Sequence, residues 1–223
     1  MINRRRSGVR GTPAKVNANA GLAVSEGVNS ASVSDGSHES RILTAARDLF
    51  ASKGFHQTSM AELATTAQVS VGQIYRLFKG KEEIIEAMIH ADADEWAEEM
   101  ADLRTRLDAG QISVEEAFEQ ALLSKFEEKD EALSFDILAE SFRNERVGST
   151  IAGLCNRFRA HLRDFACIAN PDLSGESLDA AEEMILACMF GLGHRSVSRP
   201  TLSAECTALR SAQMIVAGLR AVR

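Results

Sequence analysis

The sequence predicts an all-α fold in which three short helices precede a larger set of longer helices. Apolar residues recur at helical spacing from Ile42 onward, and no stretch alternates apolar and polar residues as a half-buried strand does. Breaks that contain Gly, Asn or Pro separate the helical segments. The 223 residues, 45% of them hydrophobic, suffice for one large domain or two small ones.

Charge is distributed unevenly along the chain, whose formal net charge is −7. Residues 1–37 carry five basic and two acidic side chains, residues 38–90 carry six of each, and residues 91–223 carry 14 basic and 24 acidic. An acidic total excludes a protein that coats nucleic acid or membranes through overall basicity. No apolar run approaches the roughly 18 residues that cross a bilayer, so we expect a cytoplasmic protein without membrane contact.

Residues 1–37 are predicted to be a disordered basic tail. The segment is rich in Ser, Gly, Ala and Asn, lacks aromatic residues and has neither helical nor strand periodicity. Such a composition buries too little apolar surface to offset the entropy of ordering. Two interpretations stay open: a solvated tail, or a basic arm that adds non-specific contacts to phosphates.

Residues 38–84 are predicted to form a three-helix, DNA-binding helix-turn-helix domain. The first helix begins near Ser37, Thr58 or Ser59 caps the second, and Ser70 caps the third.

A small residue near the crossing of the last two helices supports this motif. Ala64 lets them approach closely, and Val69 and Ile74 fill the angle between them. The third helix can then present its outer face to the major groove. Residues 71–81 contain no acidic side chain, which suits a surface that approaches phosphates.

Residues 41–88 resemble the DNA-binding domain of the tetracycline-repressor (TetR/AcrR) family of bacterial helix-turn-helix transcriptional regulators. The stretches that carry the resemblance are ILTAARDLFASKGFHQTSMAELATTAQVS and VGQIYRLFKGKEEIIEAMI. The resemblance implies a regulator and not an enzyme, most often a repressor, that binds double-stranded operator DNA. It also implies that residues 85–223 form a helical ligand-binding and dimerisation domain.

The resemblance further implies roles for single residues. Gln73 is the best candidate for a contact to a base edge, while Tyr75 and Lys81 contact phosphate. Packing of Tyr75 against Phe78, or simple solvation of Gln73, are the alternatives. Gln68 departs from the family, which often has Gly there, and a left-handed conformation would cost about 1 kcal/mol. The predicted DNA-binding residues are Thr58, Ser59, Ser70, Val71, Gly72, Gln73, Tyr75, Arg76, Lys79 and Lys81.

The rest of the chain is predicted to form six helices around an apolar ligand site. Core packing is the default role of the phenylalanines there, but inward-facing Phe, Met and Cys also build cavities for small hydrophobic molecules. The helices are predicted at 82–107, 114–129, 130–144, 147–169, 177–196 and 203–222. The candidate ligand-binding residues are Trp96, Phe118, Leu122, Phe126, Phe135, Leu138, Phe142, Phe158, His161, Leu162 and Met184.

Four polar side chains are the best candidates for orienting a ligand, although a surface position or an ordinary salt bridge is an open alternative for each. They are Glu140, Arg143, His161 and His194.

The last two predicted helices carry an apolar face that needs a partner. The resemblance implies that these helices form a homodimer interface, and a twofold dimer matches a near-palindromic operator. The residues that define the face are Ala187, Gly191, Leu192, Leu209, Ala212, Ile215, Val216 and Leu219.

No catalytic or cofactor motif is apparent. The histidines lack HExxH spacing, and no GxSxG is present. Cys155, Cys167, Cys188 and Cys206 fit neither a zinc site nor a CxxC motif and are expected to be buried, reduced thiols. We therefore expect no metal and no cofactor. The alternative to a regulator is an all-helical small-molecule or protein-binding module without specific DNA binding.

Overall fold

The structure is a computed structural model that describes residues 30–126 and 131–222, and within these ranges the chain is helical without a strand. The predicted all-α fold is confirmed. The helices are α1 (Ser30–Lys53), α2 (Met60–Thr66), α3 (Val71–Leu77), α4 (Lys81–Asp108), α5 (Val114–Phe126), α6 (Glu131–Ser141), α7 (Glu145–Ala169), α8 (Gly175–Gly193) and α9 (Ala204–Ala221), and a 3-10 helix (Arg195–Ser198) lies between α8 and α9.

The largest difference from the predicted boundaries is at the start of α1. This helix begins at Ser30, whereas order was predicted from Ser37. Extending an already packed helix costs much less than nucleating one, so a polar segment without periodicity can continue it. Residues 1–29 of the predicted tail, and residues 127–130 between α5 and α6, lie outside the described residues.

Two ends of predicted helices are also shifted. The helix α6 ends at Ser141 because Asn144 caps the next helix: its Oδ1 accepts a hydrogen bond from the Arg146 N–H at 3.1 Å. The helix α8 ends at Gly193, before the 3-10 helix that was predicted to be its last turn. Glycines near that end weaken the helix.

Two hydrophobic cores lie along α4. The N-terminal core contains residues of α1, α2 and α3 together with Ile84 and Ile85 of α4. The C-terminal core contains Trp96 and Met100 of α4 together with residues of α5, α7, α8 and α9. With 28 residues, α4 is about 42 Å long and reaches both cores.

The N-terminal core does not stop at the predicted domain boundary after residue 84. It continues along α4 to Ile89 and includes Leu133 of α6 and Val147 of α7, all of them buried. The helix α6 and the start of α7 therefore pack against the helix-turn-helix. This contact was missed because the sequence was divided by composition, and Leu133 and Val147 are distant from that segment in sequence.

The outer surfaces of α8 and α9 are partly apolar. Met184 and Met214 are 65% and 75% exposed, and Ala187 and Gly191 are exposed on the same side of α8 as Met184. Three residues predicted for the dimer face are instead buried in the chain's own C-terminal core, because that stripe of α9 packs against the body. They are Ala212, Val216 and Leu219.

A buried carboxylate joins α7 to α8. Glu182 accepts hydrogen bonds from Arg159 (2.5 Å) and Arg163 (2.8 Å). Burial raises the pKa of the Glu182 carboxyl, but the two guanidinium groups outweigh it, so the pKa lies below its ordinary value. The pair is therefore ionised at neutral pH.

The four cysteines are unpaired and only half-buried, which is less burial than the sequence predicted. Among the described helices, none combines the length and the apolar character needed to cross a bilayer.

Candidate nucleic-acid interface and internal cavity

The helix α3 begins with reciprocal hydrogen bonds between Ser70 and Gln73. The Gln73 N–H donates to Ser70 Oγ (3.1 Å), and the Ser70 N–H donates to Gln73 Oε1 (2.8 Å). This capping box provides partners for N–H groups that helix geometry leaves unpaired. The predicted cap at Ser70 is confirmed. The capping function of Gln73 was missed, although the S-x-x-Q spacing indicates it.

One face of α3 is accessible and the other is buried. Ile74 is fully buried in the N-terminal core, whereas Val71 and Tyr75 are 50% and 52% exposed. Arg76 is exposed beside them, and the exposed Lys79 follows the end of the helix. The residues predicted to face DNA from α3 therefore share one cationic surface.

The turn between α2 and α3 requires a left-handed residue. Gln68 has φ +54°, which confirms the conformation considered from the sequence. The Val69 N–H donates to the Ala64 carbonyl oxygen (2.9 Å), and Arg41 Nη2 donates to the Gln68 carbonyl oxygen (2.5 Å). The guanidinium thus ties α1 to the turn and holds the strained peptide in place.

The structure separates the two residues predicted to contact phosphate at the start of α2. Thr58 is buried, and its hydroxyl donates to the Gly54 carbonyl oxygen at 3.0 Å, so it secures the turn and does not face solvent. Ser59 is exposed and caps α2, its Oγ accepting from the Glu62 N–H at 3.2 Å. Of the two, only Ser59 is placed on the accessible surface.

Lys81 makes contacts within the chain that its predicted role did not include. Its ammonium donates to the carbonyl oxygens of Phe55 (2.6 Å) and His56 (3.2 Å) and lies 4.6 Å from the centroid of the Phe55 ring. Two of its three N–H bonds are therefore used to join the start of α4 to the α1–α2 turn. Lys81 orients the helix-turn-helix relative to α4.

A partly open cavity of about 190 Å³ lies between α4, α5, α6, α7 and α8. Its walls are mainly apolar, with Trp96 stacked at a tilt on Phe158 (ring centroids 4.0 Å apart). Besides Cys155, the ionisable side chains of the wall are Asp92, Lys125 and His194. Asp92 forms an ion pair with Arg47 of α1 (2.6 Å), and Phe190 accepts a hydrogen bond from His194 Nδ1 through its carbonyl oxygen (2.8 Å).

Some of the predicted ligand-binding residues line this cavity. They are Trp96, Leu138, Phe158 and Leu162. Of the four polar candidates, His194 also lines it, whereas Arg143 is exposed and Glu140 lies 3.3 Å from His56 of the α1–α2 turn. Their binding of a ligand stays a prediction.

The other predicted ligand-binding residues lie outside the cavity wall. Phe118 and Leu122 are fully buried in the C-terminal core, Phe126 packs beside it, and His161 contacts the edge of Trp96. Phe135 and Met184 are exposed, and Phe142 is 92% exposed. Helical spacing identifies residues that share a face, but it does not tell whether that face meets a cavity, a closed core or solvent.

Sequence reasoning missed several residues of the wall. Leu154 and Cys155 of α7 lie four and three positions before Phe158, and Ile151 lies one further turn before them. Extending the stripe of Phe158 toward the N terminus would therefore have found them. Lys125 and Asp92 carried no comparable signal.

Four wall residues also contact the N-terminal core. Ile89 is buried in that core and lines the cavity, and Ile137, Ile151 and Leu154 pack against the core from the cavity side. These side chains therefore contact both the cavity and the residues that hold α1 and α4 together. A change in the shape of the cavity therefore acts directly on the packing beneath the helix-turn-helix.

An ionic contact provides a second link. Arg146, at the start of α7, pairs with Glu83 (3.3 Å) and Glu86 (2.8 Å) of α4. Glu83 in turn accepts the Lys79 N–H at 2.7 Å, just after α3. This hydrogen bond, assisted by Arg146, holds the pKa of the Glu83 carboxyl below its ordinary value. The cavity helix α7 is thus connected to the end of α3.

The part of the chain that the structure describes contains no group of three or more His, Cys, Asp or Glu side chains able to hold a metal ion. Its distinctive features are a helix-turn-helix with a cationic face and a helical body with an apolar cavity.

These features define a helix-turn-helix protein of two connected parts. Residues 42–88 match the family of bacterial regulatory proteins called the tetR family. This match covers the helix-turn-helix domain and confirms the resemblance that the sequence suggested.

Similar proteins support this resemblance. The HTH-type transcriptional regulator UidR of Escherichia coli (strain K12) is 33% identical over 113 residues, which are 50% of this chain and 55% of UidR. The match thus spans about half the length of that relative. The UidR of Shigella flexneri matches to the same extent.

Solved structures share the fold over most of the chain. GusR of Salmonella enterica has a TM-score of 0.61 and 23% identity, with 82% of this chain and 94% of that one covered. A Mesorhizobium loti protein assigned to the TetR family has a TM-score of 0.67 and 20% identity, with 83% and 96% covered.

Proposed function

We propose that this protein is a dimeric transcriptional repressor that a small hydrophobic molecule releases from a near-palindromic operator. The family assignment of residues 42–88 and the regulators among its relatives support DNA binding. The exposed face of α3 is a physical reason to expect DNA binding, because Val71, Tyr75 and Arg76 are all accessible there. Residues 71–81 contain no acidic side chain that would repel phosphates.

The wall that the cavity shares with the N-terminal core is the observation that supports control of DNA binding by a ligand. Ile89 and its three neighbours serve both, so a ligand that pushes on them shifts α4 and α6 relative to α1. In a dimer, such a shift respaces the two α3 helices. The ligand must bind the DNA-incompetent arrangement more tightly, and DNA opposes ligand binding by the same factor.

Dimerisation through α8 and α9 is supported by their exposed apolar surface. Met184 and Met214 are mostly exposed, and small residues such as Ala187 and Gly191 allow close approach of a second copy. A twofold dimer would place the two α3 helices on half-sites about one turn of DNA, or a multiple of it, apart.

A DNA-binding titration across a salt series tests this function. The full chain is titrated onto labelled DNA from upstream of its own gene and onto a random fragment of equal length. We expect preference for the upstream fragment, a steep salt dependence, and a protected site with twofold symmetry. Equal affinity for both fragments at every salt concentration would refute the regulator and favour the binding-module alternative.

A further inference from the structure

A buried carboxylate lies where α6 meets the helix-turn-helix. Glu140, in the last turn of α6, is 7% exposed, and its Oε2 has no hydrogen-bond partner among the described residues. The Arg143 and Asn144 N–H groups donate to its backbone carbonyl oxygen (2.9 and 2.8 Å), which marks the C-terminal end of the helix. The helix dipole is negative at this end and adds to the cost of burying a carboxylate. A positive partner would offset both costs.

His56 of the α1–α2 turn is placed to be that partner. Its Nε2 lies 3.3 Å from Glu140 Oε2, and its side chain is 69% exposed, so it can exchange a proton with solvent. Histidine is the side chain that ordinarily changes charge between about pH 5 and 8. A protonated His56 forms an ion pair with Glu140, whereas a neutral ring offers at most a weaker hydrogen bond.

A second carboxylate of α6 faces the same turn. Asp136 lies one helical turn before Glu140, and its Oδ2 would be 3.6 Å from a Cβ placed at Gly54, two residues before His56. Like charges one turn apart on a helix repel each other. Both carboxylates therefore favour a positive charge on His56 over a neutral ring.

Three basic side chains lie on the elements around this contact. The Lys81 ammonium of α4 donates to the His56 carbonyl oxygen (3.2 Å), so it opposes a positive charge on the ring. Lys53 of α1 forms an ion pair with Glu62 of α2, and Arg143 is exposed beyond the end of α6. Because charge interactions weaken with distance, the carboxylate 3.3 Å from the ring should have the largest effect on its charge.

We propose that protonation of His56 creates a pH-dependent ion pair with Glu140 that holds the helix-turn-helix against α6. The contact lies on the connection between the two parts of the molecule, because Ile137 of α6 lines the cavity and also packs against the N-terminal core. The ion pair itself does not depend on the proposed function. Its effect on DNA binding does, because a helix-turn-helix that is already fixed in orientation loses less freedom on binding.

A double-mutant cycle at two pH values tests the ion pair. The unfolding equilibria of the natural chain, His56→Gln, Glu140→Gln and the double variant are measured by urea denaturation at equal protein concentration. We expect the coupling of the two residues to change the unfolding equilibrium constant about threefold or more at about pH 6, and less than about 1.5-fold at about pH 8.5. Coupling that is absent at the lower pH, or that does not decrease at the higher one, would overturn the proposal.

Two further variants separate charge from other effects of the substitutions. His56→Lys carries a positive charge at both pH values, so its coupling to Glu140 should persist at about pH 8.5. Loss of this coupling in the folded variant would show that the pH dependence arises elsewhere. His90→Gln, which replaces an exposed histidine of α4, is the matched control and should show no coupling to Glu140→Gln.

Titration of the upstream DNA fragment at the same two pH values tests the effect on the proposed function. Glu140→Gln removes a negative charge, which by electrostatics alone would strengthen binding to phosphates. The ion pair predicts the opposite: binding about threefold or more weaker at about pH 6, and changed less than about 1.5-fold at about pH 8.5. Unchanged or stronger binding at the lower pH would refute this effect on DNA.

Failure of the ion pair is distinguishable from failure of the proposed function. Specific DNA binding, together with a coupling that does not depend on pH, refutes the ion pair alone. A pH-dependent coupling without specific DNA binding at either pH refutes the regulator alone.

Discussion

Gln68 places a side chain where the backbone favours glycine. Its φ of +54° costs a residue with a Cβ about 1 kcal/mol, and the hydrogen bond from Arg41 to its carbonyl oxygen keeps the turn closed despite that cost. Gln68→Gly is expected to raise the free energy of unfolding by about 0.5–1 kcal/mol, measured by urea denaturation. Gln111→Gly, in an exposed turn without positive φ, is the matched control and should lower stability slightly or leave it unchanged.

Gln73 combines a structural and a proposed functional role, which two substitutions separate. Gln73→Ala removes the side chain that accepts the Ser70 N–H, so it should cost about 0.5–1 kcal/mol of stability and relax base preference at one operator position by about 1–3 kcal/mol. Gln73→Glu keeps the acceptor and should preserve stability, while its negative charge weakens binding to every DNA sequence.

Urea denaturation and binding to a set of single-base operator variants provide the two measurements for Gln73. Unchanged base preference in Gln73→Ala would show that this residue only caps α3.

Glu182 makes stability depend on pH. Its pKa is lowered in the folded protein, so its contribution is present above the unfolded pKa of about 4.5 and is lost as pH falls through the lower, folded value. Glu182→Gln should cost about 1–3 kcal/mol at pH 7, and this difference from the natural chain should shrink steadily below pH 4.5. Urea denaturation of both chains between pH 3 and pH 7 tests it; a difference that is constant over this range would contradict the ionised pair.

At the scale of the helix, the contact between α6 and α7 leaves no room for a side chain at Gly148. A Cβ at this position would lie 2.7 Å from the Ser141 carbonyl oxygen at the end of α6, which is backbone and cannot turn away. Gly148→Ala should therefore push α6 from α7 and cost about 1–3 kcal/mol of stability. It should also lower DNA affinity, because α6 packs against the N-terminal core through Leu133.

Gly153 provides a matched control on the same helix. No atom of the described residues that could obstruct a Cβ lies within 4 Å of that position, so Gly153→Ala should stabilise α7 by up to about 1 kcal/mol and leave DNA affinity unchanged. Thermal denaturation and the DNA titration distinguish the two variants. Equal effects of both substitutions would mean that α6 adapts freely and does not transmit the strain.

The helices illustrate what could be predicted from the sequence. Local signals predicted the cap at Ser70, the turn at Gln68 and most helix ends, because these depend on residues three or four positions apart. The lining of the cavity depends on how helices rotate against one another. Phe142 and Phe158 are both aromatic residues at helical spacing, yet the first is on the surface and the second forms the cavity wall.

At the scale of the whole molecule, the proposed dimer predicts the effect of charge on the face formed by α8 and α9. Met214 is 75% exposed, and in the proposed dimer Met214→Arg would bury a cation at the interface. We expect a monomer by light scattering after size exclusion, with DNA affinity reduced at least about 100-fold. Val197→Arg, on the exposed 3-10 helix, is the control that should remain dimeric. A dimer in both variants would assign the interface to another surface.

The shared side chains between the cavity and the N-terminal core also constrain how this protein can acquire a new ligand. A substitution at Ile89 or Ile137 that suits a different molecule also alters the packing that holds α1 on α4. Substitutions that give a new specificity should therefore be tolerated mainly on α8, where Leu186 and Phe190 line the cavity without belonging to that core. In a library that randomises all cavity positions, functional variants with a changed ligand preference should accumulate changes on α8 and retain the isoleucines of α4 and α6.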